Sequence, residues 1–75
     1  MPNVRQFTAL IEREGTGYVS LCPELDIASQ GDSIEEARLN LAAAVELFFE
    51  VASESEIQER FHSEVYVTRL DVAVG

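Results

Sequence analysis

Lysine and tryptophan are absent from this 75-residue chain, and cysteine and histidine occur once each. A lone thiol, Cys22, can close no intramolecular disulfide and build no cysteine-based zinc site, which excludes a stapled secreted scaffold. No apolar run approaches the roughly 18 residues of a membrane span, and Met1-Pro2-Asn3-Val4-Arg5 lacks the charged and apolar regions of a signal peptide. A soluble cytoplasmic protein without membrane contact is therefore expected. Repeats, low-complexity tracts and internal linkers are missing too, so residues 1–75 read as a single domain with a thin core.

Basic charge is scarce. Five arginines face 14 acidic residues, a formal net charge of −9, which repels phosphate backbones and anionic lipid heads. Direct nucleic-acid binding is disfavoured, and the same field attracts a basic protein.

The periodicities that are present define an α+β chain. Arg5–Arg13 alternates, with Phe7, Ala9 and Ile11 on one face and Thr8 and Leu10 on the other, which predicts a strand inside the sheet. Gly15-Thr16-Gly17 lacks the spacing of a phosphate-binding loop and reads as a hairpin turn. A second strand, Tyr18–Cys22, stops at Pro23, and Pro23-Glu24-Leu25 turns into a weaker third strand over Asp26–Gln30. These three predict an antiparallel meander.

Ser33 and Glu36 have capping-box spacing and start an amphipathic helix that ends near Ser53. Ile57–His62 can add a helical turn. Glu64–Val74 is β-branched and alternating, which predicts a fourth strand. The order is β-β-β-α-β, and a right-handed crossover would lay the last strand parallel to a central first one. One helix covers one sheet face, so Leu10, Tyr18 and Cys22, or their counterparts opposite, are left for a partner, and a homodimer or higher oligomer is expected.

F-T-A-L-I-E-R-E at 7–14, G-Y-V-S-L-C-P-E-L-D at 17–26 and G-D-S-I-E-E-A at 31–37 together resemble the HicB-like antitoxin family over nearly the whole chain. The resemblance implies a degenerate ribonuclease H-like fold and a partner, a small basic HicA-type toxin that cleaves messenger RNA. It also implies inhibition by occlusion, as the antitoxin of a type II toxin-antitoxin pair. Longer members carry a C-terminal DNA-binding segment; after Val74 only Gly75 follows here, so no such module is expected. The alternative is a solitary, non-catalytic ligand-binding or scaffold module of the same fold.

Catalysis is not expected. Two-metal phosphoryl chemistry needs converging carboxylates, and the first strand offers Thr8, Ala9 and Leu10 there, with Glu12 near its end. Glu46 falls on the solvent side of the helix, away from Asp71. His62 reads as a solvated loop histidine, and Cys22 reads as a small buried hydrophobe. No metal or cofactor is called for. The candidate partner-binding residues are Tyr18, Glu24 and Leu39, the last an apolar residue on the polar helix face. Arg38 lies in the apolar arc and either snorkels to solvent or forms a structural ion pair with Asp26 or Glu24.

Overall fold

A computed structural model describes residues 4–75. Three antiparallel strands, β1 (Leu10–Glu14), β2 (Gly17–Cys22) and β3 (Ile27–Gly31), form a meander in the order β1-β2-β3. Helix α1 (Ile34–Val51) and a short α2 (Glu54–Arg60) follow. The α+β class and the strand-strand-strand-helix order agree with the periodicity of the sequence.

Gly15 turns β1 into β2 at φ +61°, which a glycine adopts without steric cost. Leu10 pairs with Leu21 and Glu14 with Gly17. Alternation then sends Ser20 and Cys22 toward α1 and leaves Leu10, Leu21 and Ala28 in one row on the uncovered sheet face. Leu10 is thus on the open face as expected, whereas Tyr18 and Cys22 are not; their places are taken by Val19 and Leu21.

Helix α1 begins where Ser33 Oγ accepts the Glu36 amide at 3.0 Å. The expected return bond lands one residue earlier: Glu36 Oε1 accepts from the Asp32 amide at 2.9 Å. A full capping box forms at Ser53 and Glu56, which stops α1 and starts α2. The first turns of α1 lie close on the sheet because the residues beneath are small. Ser20 is buried and donates to the Ala37 carbonyl at 2.9 Å, and a Cβ on Gly31 would come within 2.5 Å of the Ala37 nitrogen.

The core is thin, as the chain length requires. Cys22, Leu25, Leu41 and Val45 are its buried centre, and Phe7, Ile27, Phe48, Phe49 and Phe61 pack around them. Phe7 meets Phe49 at 5.7 Å between ring centres with the rings tilted, and Phe61 at 6.3 Å in the T-shaped arrangement that aromatic quadrupoles favour.

Three sequence expectations are corrected. The first strand starts at Leu10 rather than Arg5, because β2 ends at Cys22 and residues 5–8 would need ladder partners in the Pro23–Asp26 turn. The strand β1 lies at the sheet edge rather than in the middle. A fourth strand over Glu64–Val74 is not formed: of the first strand it was to lie beside, Arg5–Ala9 is outside the ladder, which leaves only the five-residue edge of β1. Residues 64–74 instead extend as an arm whose side chains are nearly all exposed.

Candidate protein-binding surface

The turn after β2 is a clasp. Leu25 is fully buried, its amide donating to the Cys22 carbonyl at 3.3 Å. Asp26 closes the turn at φ +55°, a left-handed conformation that aspartate tolerates better than most side chains. Just before Leu25, Glu24 fastens two separate parts of the chain. Its carboxylate accepts from the Thr8 amide at 2.9 and 3.1 Å and from the Thr8 hydroxyl at 2.7 Å. Its carbonyl accepts from the His62 amide at 2.7 Å.

Electrostatics follow from these contacts. Partial burial alone would raise the Glu24 pKa, but the hydrogen bonds from Thr8 outweigh it and hold the carboxyl below its ordinary range. Burial pushes the Cys22 thiol up, with the nearby Glu24 carboxylate adding to the effect, so the thiol stays protonated and unreactive.

Of the residues singled out from sequence, Glu24 is therefore turned inward, with its carboxylate already engaged. Tyr18 is half-buried near the β1–β2 hairpin, under the Arg13 guanidinium at 5.7 Å. Leu39 stands on the outer surface of α1, 53% exposed. Tyr18 and Glu24 occupy opposite ends of β2, and Leu39 is on another element, so the three do not form one surface. The ion pair expected between Arg38 and Asp26 is also corrected. Arg38 pairs with Glu35 one turn earlier, its Nε donating at 3.2 Å, and this is the one ion pair among the described residues. Asp26 is held in the turn by its backbone geometry, while a glutamate three residues away on the same helix lies within direct reach of Arg38. The guanidinium in turn lowers the Glu35 pKa, mainly through the hydrogen bond.

What the sequence reading missed is the company Leu39 keeps. Leu39, Ala43 and Leu47 recur every four residues and form an exposed stripe along the outer face of α1, with Leu47 57% exposed. Glu35, Glu36, Glu46 and Glu50 flank the stripe and are exposed as well. The signal was available: the i, i+4, i+8 spacing predicts it once the solvent face of the helix is read for apolar residues as carefully as the buried one.

Chemically, the stripe can bind through apolar contact inside an acidic rim. Among the described residues no group of three His, Cys, Asp or Glu side chains is placed to hold a metal ion, and no helix is long and apolar enough to cross a membrane.

Two proteins of Synechocystis sp. are similar to this chain. UPF0150 protein ssl0738 is 45% identical over 47 residues, which cover 60% of this chain and 65% of that protein. UPF0150 protein ssr1765 is 43% identical over 49 residues, 63% of this chain and 62% of that protein. The matched stretch thus spans a little under two thirds of the length of each relative. No family model matches the chain, and no solved structure matches it significantly.

Proposed function

We propose that this chain is a non-catalytic antitoxin that binds a small basic ribonuclease of the HicA type and occludes its RNA-cutting site, using the outer face of α1. The observation that carries this reading is the Leu39–Ala43–Leu47 stripe inside its ring of glutamates. Apolar anchors at the centre of an interface supply residence time, and a charged rim speeds encounter and rejects wrong partners. The net charge of −9 gives that rim long reach toward a basic partner. The resemblance of residues 7–37 to HicB-like antitoxins supports the same partner. Action is cytoplasmic in this reading, without cofactor.

Co-expression with a HicA-type toxin tests it. The antitoxin reading expects relief of growth arrest and co-purification of the pair, and both are weakened when Leu39→Asp and Leu47→Asp are combined. With each anchor worth about 1.4 kcal/mol, removing both corresponds to a loss of about a hundredfold in affinity. Full protection by the doubly substituted chain would move the interface off α1; no binding by the unsubstituted chain would end the antitoxin reading.

A further inference from the structure

Residues 64–74 combine strong strand character with no strand to join. Tyr66 and Leu70 are each 82% exposed, and Val67, Val72 and Val74 are exposed beside them. A soluble chain does not ordinarily leave a continuous run of this kind in water. The arm also lengthens the molecule: its radius of gyration is 14.5 Å, where a compact chain of 75 residues has about 11 Å.

The same chain carries the complement. β1 pairs on one side only, with β2, so its outer edge presents free backbone groups. The opposite edge of the sheet is partly closed, because Asn40 Nδ2 donates to the Gln30 carbonyl of β3 at 2.8 Å. Helix α1 sits mainly over β3 and β2 and barely reaches β1. Between residues 4–9, which lead into β1, and the near flank of α1 runs a groove of about 1020 Å³ lined by Phe7, Leu41, Val45 and Phe49.

We propose that the arm of one copy adds to the outer edge of β1 in a second copy, with Tyr66, Leu70 and Val72 turned toward that copy's groove, and that the exchange is reciprocal. Three features select a second copy as the occupant. Donor and acceptor lie on one chain, so a two-fold axis satisfies both at once and closes the assembly. Charge permits the approach: the arm holds Glu64, Asp71 and Arg69, a net of −1 in a chain of −9, and the groove sets Arg5 and Arg38 against Glu46 and Glu50. Size fits as well, since one arm plus its own receiving edge gives about 20 residues a side, within the roughly 20–30 of a standard interface.

Sedimentation velocity of the isolated full chain at micromolar concentration tests this without reference to any toxin, so its outcome is independent of the antitoxin reading. A dimer is expected, and combined Leu70→Asp and Val72→Asp should halve the sedimenting mass, while Leu39→Asp leaves it unchanged. To locate the arm, chains carrying Val67→Cys are mixed with chains carrying Glu12→Cys, both in a Cys22→Ala background, and joined with a short bismaleimide. A covalent pair of two different chains supports the exchange. A monomeric parent chain, a dimer indifferent to both arm substitutions, or no linkage between the mixed chains while a single chain given both Val67→Cys and Glu12→Cys links to itself would each overturn it. The last outcome would return the arm to its own β1.

Discussion

The clasp at Cys22–Asp26 and the arm at Glu64–Val74 are both short, apolar in part and free of helix, yet they sit at opposite extremes of engagement. In the clasp, Cys22 and Leu25 are fully buried and Glu24 bonds two distant segments through its side chain and backbone. In the arm, Tyr66 and Leu70 meet almost nothing. Hydrophobicity does not separate the two. What does is whether the rest of the fold supplies a complement: Cys22 and Leu25 of the clasp pack with Leu41 and Val45 of α1, whereas β1, beside which the arm was expected, keeps its outer edge unpaired.

The contrast can be broken at several points. Leu25→Ala should cost most, about 2–5 kcal/mol of unfolding free energy by urea titration, because it empties a fully enclosed site in a small core. Gly31→Ala should cost about 1–3 kcal/mol in the same measurement, since the new methyl meets helix backbone that has no room to yield. At Asp26, valine should lose about 1–2 kcal/mol and glycine should not, a difference that reports the left-handed backbone and not the carboxylate.

Glu24→Gln should cost about 1 kcal/mol at neutral pH, kept small by partial exposure. Its sign with pH is fixed by the lowered carboxyl pKa: the stabilisation is fully present above the ordinary glutamate value of the unfolded state and is lost as pH falls through the folded value. Urea midpoints measured from pH 6 down to pH 3 should therefore fall more gently for the Gln variant. Tyr66→Ser should give the smallest effect, within about 0.5 kcal/mol, at dilutions where the chain is monomeric. A larger loss there would show that the arm is engaged within its own chain.

The contrast also marks how far the sequence could be read. Meander, turns and both ends of α1 were legible because alternation, Gly15, Pro23, Ser33 and Ser53 act through neighbours a few residues away. The length of β1 and the fate of the arm were not. Both depend on bonds spanning long stretches of chain, such as Thr8 to Glu24 and His62 to Glu24, which no local pattern encodes. The Arg38 ion pair failed for the converse reason: a partner three residues away on the same helix prevailed over a distant turn. At the candidate surface, Leu39 was legible as an apolar residue among acids, but its partnership with Leu47 shows only when the solvent face of α1 is followed over two turns.

The inward commitment of the clasp has a consequence for divergence. A segment whose residues are consumed by their own fold tolerates few replacements, and it will stand out in any comparison of related sequences whatever those proteins bind. The α1 stripe, held by nothing internal, can change its anchors without disturbing the domain. Chains that share the Cys-Pro-Glu-Leu-Asp run can thus be expected to share an architecture more faithfully than a partner, and specificity is better sought in the outward residues of the helix.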